Sequence, residues 1–151
     1  AHWNDPDLRL VLLGGAGSAD EEVRRQIEQL GLGQRIVRTG RVDDDDRDGL
    51  IRLAEALVFP SEYEGFGAPV VEAMALGTPV VCSDQPALQE VVAGAGLVLP
   101  LDREAWSDAL DRVASDRDAM RSAGRRRAGQ FTTLKSGEGA SAAYRLALAS
   151  S

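Results

Sequence analysis

The sequence predicts an α/β protein, a parallel sheet with helices on both faces. Short, almost wholly apolar runs such as "LRLVLLGG", "ALVFPS" and "TPVVCS" match strands buried on both sides. Between them lie stretches with apolar residues at helical spacing, "SADEEVRRQIEQLG" and "REAWSDALDRVASD" among them. Glycine and proline mark the joins, and such a strand–helix alternation builds parallel sheets.

Residues 8–15 give the first strand, expected to be buried. In the helix that follows, Ser18 and Glu21 have capping-box spacing, Val23, Ile27 and Leu30 share a face, and Gly31 is placed to stop it. "RIVRTG" is the second strand. The acidic run at 43–46 suits a helix N-terminus, where negative charge offsets the dipole. It precedes "GLIRLAEA", in which Leu50, Leu53 and Ala54 share a face.

"LVFPS" is the third strand, ended by Phe59. Gly65 and Gly67 then permit a tight turn, and Pro69 suits the first position of a helix. Val70, Val71, Met74 and Ala75 are expected to face the core, and Gly77 with Pro79 to end the helix. "TPVVCS" is a strand, "ALQEVV" a helix and "GLVLP" a strand. "REAWSDALDRVASD" is expected as one helix with Ala105, Trp106, Ala109 and Val113 inward. Residues 116–151 are helical in pattern, although Gly124, Gly129, Gly137 and Gly139 weaken it. The expected division is a sheet domain over 1–115 and a helical tail of the same domain over 116–151.

A chain of 151 residues suits one domain, and one of that size buries roughly 70% of its unfolded surface. A net charge of −7 argues against binding to nucleic acid or to an anionic membrane. The basic cluster Arg121, Arg125, Arg126 and Arg127 is expected on a solvated helix face. Cys82 is the single cysteine, so no internal disulfide is possible; its apolar run makes it a small buried hydrophobe. His2 is the single histidine, which removes a multi-histidine metal site. No apolar run reaches membrane-spanning length and no signal peptide is visible. The expected location is cytoplasmic, with peripheral membrane association of a full-length form left open.

The chemistry concentrates in "SEYEGFGAPVVEAMALGTPVV", residues 61–81. Parallel sheets bind ligands at the carboxyl ends of their strands, and this stretch follows such an end. The free N–H groups and positive dipole at the start of its helix suit a diphosphate. Glu64 on the loop and Glu72 on the helix wall would accept hydrogen bonds from sugar hydroxyls, which together describe a nucleotide sugar. Taken alone, the pair is better served by a plainer account. Glu64 would then be a dipole partner, and Glu72 an exposed helix residue.

The whole string "PSEYEGFGAPVVEAMALGTPVV" resembles the signature of retaining GT-B glycosyltransferases, in particular glycosyltransferase family 4. The resemblance extends through "LRLVLLGGAG", "RIVRTGRV", "ALVFPS" and "ALQEVVAGAGLVLP", covering about residues 6–115. It implies the Rossmann-like C-terminal half of a GT-B fold and transfer of a hexose from a UDP- or GDP-hexose. It also implies the roles of single residues. Glu64 is the catalytic-site carboxylate, holding the donor hexose with the backbone of Gly65, Phe66 and Gly67. Ala68, Pro69, Val70 and Val71 receive the diphosphate, and Glu72 accepts both ribose hydroxyls. Arg41 and Val42 edge the nucleobase, and Gly14 with Gly15 lines the cleft floor. Such enzymes generally work without a metal, and here no metal-ligand cluster is expected.

Against the family pattern, an upstream acceptor-binding domain, a first strand and helix, and the Arg and Lys that neutralise the diphosphate are expected to be absent from this chain. That first strand would lie between residues 10–13 and 57–59. Its absence would leave two inner sheet edges open to self-association. The alternatives are a fragment or non-catalytic nucleotide-sugar-binding subunit, or a GT-B-like sugar-nucleotide epimerase.

Overall fold

A computed structural model describes residues 7–132. The chain divides into two compact units, Ala1–Leu50 and Ile51–Ser151.

In the first unit, β1 (Leu10–Leu13), α1 (Asp20–Gln29) and β2 (Ile36–Gly40) form a strand–helix–strand unit. The strands are parallel, Leu10 opposite Ile36, with an irregularity between Leu12 and Leu13 that sets Leu13 opposite Gly40. The expected burial of β1 is not found: Val11 and Leu13 are exposed, and Leu10 and Leu12 half-buried. Among the described residues β1 has a neighbour on one side only, so its pattern is that of an edge strand. α1 likewise buries no residue completely; Ile27 is half-buried, while Val23 and Leu30 are exposed.

The expected capping box at Ser18 does not form. Ala19 occupies the cap position with no side-chain hydrogen bond, because the helix starts at Asp20 and leaves Ser18 outside it. Asp20, Glu21 and Glu22 in the first turn offset the dipole instead. Gly31, at φ +65°, ends the helix as its sequence position predicts.

α2 (Asp44–Leu53) runs from the first unit into the second. The Asp46 N–H donates to the Asp43 carboxylate at 2.8 Å, so the acidic run caps this helix and offsets its dipole. Its inward residue is Ile51, 5% exposed, whereas Leu53 is 82% exposed. The two lie about 200° apart around a helix, so burying one turns the other out.

The second unit holds β3 (Leu57–Phe59), α3 (Ala68–Leu76), β4 (Val80–Ser83), α4 (Pro86–Val92), β5 (Leu97–Leu99), α5 (Arg103–Ser107) and α6 (Ala109–Ala128). Its strands are parallel in the order β3-β4-β5, with Val58 opposite Val81 and Cys82 opposite Val98. Side chains alternate between the two faces. Val80 and Cys82 join a cluster with Val70, Met74, Leu88 and Val92. Val81 joins Leu99, Ala109, Val113 and Met120 on the opposite face. The sheet is therefore covered on both faces, as the wholly buried β4 requires.

Within α3, Val70, Ala73 and Met74 are buried, Val71 is half-buried, and Ala75 is exposed rather than inward. The expected single helix from Arg103 onward is two. Asp102 caps α5 by accepting the Glu104 N–H at 3.2 Å, and a break at Asp108 precedes α6. Trp106 anchors α5 through its indole N–H, which donates to the Pro100 carbonyl at 2.7 Å. Ala109 and Val113 face inward on α6, and Gly124 lets that helix approach Met74 of α3. The sequence pattern beyond residue 132, including Gly137 and Gly139, lies outside the described residues.

The basic cluster is solvated as expected at Arg125 and Arg126, which are exposed, while the half-buried Arg121 and Arg127 are also tied to main-chain carbonyls. Arg121 Nε donates to the Gly77 carbonyl at the end of α3, at 3.0 Å, and the Arg125 guanidinium lies over Gly77. Arg127 donates to the carbonyls of Glu90 and Val91 at the end of α4. Two of these four arginines, Arg121 and Arg127, bond carbonyls at the ends of helices, where cations are favoured.

β1 and β3 belong to different sheets, and among the described residues each has one strand neighbour.

Candidate functional site

Loop 60–67 connects the carboxyl end of β3 to α3. Its start is tied down by the buried Ser83 at the end of β4, whose hydroxyl donates to the Ser61 carbonyl. The Ser61 hydroxyl in turn donates to the Tyr63 carbonyl at 2.8 Å. Its far end is Gly67, the N-cap of α3, in the left-handed region at φ +86° and buried. A Cβ there would sit 2.4 Å from Leu88 Cδ2 and 3.7 Å from Glu64 Cγ. Gly67 thus lets the loop lie on α4 and brings the half-buried Glu64 beside the start of α3.

The helix start is more closed than its sequence implies. Val70 and Val71 both donate their N–H to the Gly67 carbonyl, at 2.9 and 3.3 Å. Pro69 has no N–H to give. Among the described residues, Gly65, Phe66, Gly67 and Ala68 have main-chain N–H groups that no other main-chain carbonyl takes up. Glu72 lies one helical turn beyond Ala68 on the same face, since residues i and i+4 are neighbours. It is half-buried, on the side of α3 away from the buried Val70, Ala73 and Met74. Glu64, residues 65–68 and Glu72 are therefore brought together in the second unit.

Elsewhere in that unit, Cys82 is fully buried, and burial pushes its thiol up to about 11. It is a packing residue, as its apolar run predicts. Among the described residues no three His, Cys, Asp or Glu side chains converge as metal ligands would. No described helix is long and apolar enough to cross a membrane.

In the first unit, Gly14 adopts φ +122° and donates its N–H to the Gly40 carbonyl at 3.0 Å. A Cβ on Gly15 would lie 3.2 Å from Arg41 Nε, so the glycine turn and Arg41 meet; Val42 is half-buried. An open cavity of about 500 Å³ lies at this turn, lined by Gly14, Gly15, Asp20, Arg24 and Arg38 among others. Asp20 and Arg38 form an ion pair across it. The pair went unseen in the sequence because α1 and β2 each hold only one member.

A family model described as "Glycosyl transferases group 1" matches residues 2–129. The chain belongs to that family. It is 42% identical over 99 residues to the O-antigen chain mannosyltransferase B of Escherichia coli, an alignment covering 64% of this chain and 26% of that protein. Sucrose-phosphate synthase of Thermosynechococcus elongatus has the same fold, with TM-score 0.81 and 28% identity over 97% of this chain and 40% of its own. HepE of Anabaena, in a crystal structure with UDP-glucose, matches with TM-score 0.74 and 26% identity over 83% of this chain and 37% of its own. The chain thus spans about a quarter of the mannosyltransferase's length. The family members with solved structures are GT-B glycosyltransferases, and the Rossmann-like α/β fold of this chain is theirs.

Proposed function

We propose that this chain carries the donor-binding part of a retaining hexosyltransferase. It would take a hexose from a UDP- or GDP-hexose and pass it to an acceptor. The observation that supports the reading is Glu64 beside Gly67 at the start of α3, with the 65–68 N–H groups left without main-chain acceptors, in a chain whose residues 2–129 match the group 1 family. The 26% identical HepE, described with UDP-glucose, supports a nucleotide-sugar donor.

On this reading Glu64 and the backbone of Gly65, Phe66 and Gly67 hold the hexose hydroxyls. The helix start from Ala68 and Pro69 to Val70 and Val71 faces the diphosphate, with the Ala68 N–H the donor left over by the helix. Glu72 accepts both ribose hydroxyls. For the first unit taken by itself, the corresponding proposal is that Arg41 and Val42 edge a nucleobase and that Gly14 with Gly15 lines a cleft floor. The acceptor oxygen bonds to the anomeric carbon on the face the diphosphate leaves, and the acceptor's proton passes to the leaving diphosphate. Stabilising that departing charge is the main electrostatic task. We assign no metal to the step. Residues 1–115 would form the donor-binding portion and 116–151 its tail, with the acceptor held by residues outside this chain.

The test is thermal unfolding of the full-length protein with UDP, GDP, UDP-glucose and GDP-mannose. A ligand at a hundred times its Kd adds about 2.7 kcal/mol, so one nucleotide class should raise the melting temperature by several degrees. In Glu72→Ala the rise, measured from that variant's own unliganded melting temperature, should shrink by about half or more. No rise with any nucleotide or nucleotide sugar would overturn the reading.

A further inference from the structure

We propose that Phe131 is a positioning residue for loop 64–67, holding the Glu64 loop in shape through Phe66. Phe66 stands between two glycines, and such a backbone does little to fix its own conformation. Its ring is 48% exposed, so its own loop does not enclose it. It meets the Phe131 ring edge-on, centroids 5.7 Å apart and planes at 77°, the arrangement favoured by aromatic quadrupoles.

Phe131 is itself anchored. Its N–H donates to the Ala128 carbonyl at 2.9 Å, and its ring packs against the core cluster that contains Val70 and Leu88. The Arg127 guanidinium lies over that ring, 4.8 Å from its centroid. Arg127 is fixed in turn by donating Nε to the Val91 carbonyl at 2.8 Å and Nη2 to the Glu90 carbonyl. α4 therefore fixes the loop twice. Leu88 lies under Gly67, and the α4 carbonyl end holds the arginine that covers Phe131.

Phe131 meets the loop through Phe66 and meets α3 only through the buried cluster of Val70, Ala73 and Met74, so the carboxylate we assign to the brace is Glu64, on the loop beside Phe66. Under the donor-binding reading, on which this consequence rests, Phe131 governs the grip on the hexose and leaves that on the nucleoside diphosphate nearly untouched.

The experiment pairs two readouts on the full-length protein and its Phe131→Ala, Phe131→Leu and Phe131→Tyr variants. Amide hydrogen exchange tests the brace without any ligand. Exchange at Val70 and Val71, whose N–H groups bond the Gly67 carbonyl of the loop, should speed up about 3- to 10-fold in Phe131→Ala, the range an aromatic pair supports, with Gly77 and Thr78 at the far end of α3 unchanged. Phe131→Tyr should restore protection. Phe131→Leu keeps apolar volume and guards against a variant that fails to fold. Unchanged exchange at Val70 and Val71, or equal acceleration across α3 and α4, would overturn the proposal.

Titration supplies the second readout. Phe131→Ala should weaken UDP-glucose or GDP-mannose by a similar factor while UDP or GDP changes less than about 2-fold. Local acceleration of exchange without that selective loss would overturn the role at the hexose. If the unsubstituted protein binds none of the four probes, the donor reading falls, and the exchange data alone decide whether Phe131 braces the loop.

Discussion

Gly67 presses on Leu88 so closely that a Cβ at position 67 would lie 2.4 Å from Leu88 Cδ2, and Leu88 is fully buried. Relief by moving Leu88 is blocked by the packed cluster around it. Gly67→Ala also forces a side chain into the left-handed region at φ +86°. We expect a loss of about 2–5 kcal/mol, from about 1–2 for the backbone and 1–3 for overpacking. Gly65→Ala is the control, since its Cβ would meet nothing within 4 Å and its φ is not positive. Urea unfolding that moved both midpoints equally would contradict this account.

Glu72→Ala and Glu64→Ala should separate the two ends of the ligand. Losing a carboxylate that accepts ribose hydroxyls should weaken nucleoside diphosphate binding by about 1.5–3 kcal/mol, a factor of roughly 10 to 150. Glu64→Ala should spare free nucleoside diphosphate and depress turnover of the nucleotide sugar. Calorimetric titration of each variant with UDP and GDP, beside a transfer assay, checks both. A stability loss in Glu72→Ala with unchanged nucleotide affinity would return Glu72 to a purely structural role.

The arginines of α6 should differ sharply in what they contribute. Arg127→Met removes donors from the Glu90 and Val91 carbonyls, and Arg121→Met one from Gly77. Each should cost about 1–2 kcal/mol through lost charged hydrogen bonds and dipole compensation. Arg126 is exposed, and Arg126→Met should stay within about 0.5 kcal/mol. Equal midpoints for Arg126→Met and Arg127→Met in denaturant would refute the clamp.

These contrasts mark where the sequence was legible. β4 and its turn were readable because an unbroken apolar run bounded by Gly77 and Ser83 leaves few alternatives for "TPVVCS". The left-handed roles of Gly67 and Gly77 followed from where helices must start and stop. What failed depends on neighbours. The apolar run at β1 predicted burial, but burial is set by what covers a strand, and β1 has one strand partner among the described residues. Ile51 and Leu53 are equally apolar, and the Thr78 hydroxyl donating to the Ile51 carbonyl at 2.7 Å links the inward residue to the core.

The site shows the same division. Glu64, the glycines and Glu72 share one short stretch, so local spacing sufficed to group them. Phe131, Leu88 and Ser83 support that stretch from distant positions, and no period or spacing ties them to it. The ties of Arg121 and Arg127 were missed for the same reason. Their partners are main-chain carbonyls at the ends of α3 and α4, which a sequence does not display.

Cys82 gives the last test, one of pH. Burial raises its thiol from 9.0 to about 11 in the folded chain, while the unfolded chain titrates near the ordinary value. A raised folded pKa means that this contribution is fully present below about pH 9 and is lost as pH rises towards 11. At pH 10 the unfolded chain has given up most of that proton and the folded chain almost none. The difference destabilises the fold by on the order of 1 kcal/mol relative to pH 8. Other groups titrate in the same window, so the measurement is a comparison. Cys82→Ala should start less stable, from the cavity it leaves, yet lose less stability than the parent between pH 8 and pH 10. Urea unfolding at the two pH values gives both differences. Parallel losses in parent and variant would show that the thiol titrates alike in the folded and unfolded chains, and would remove the burial argument.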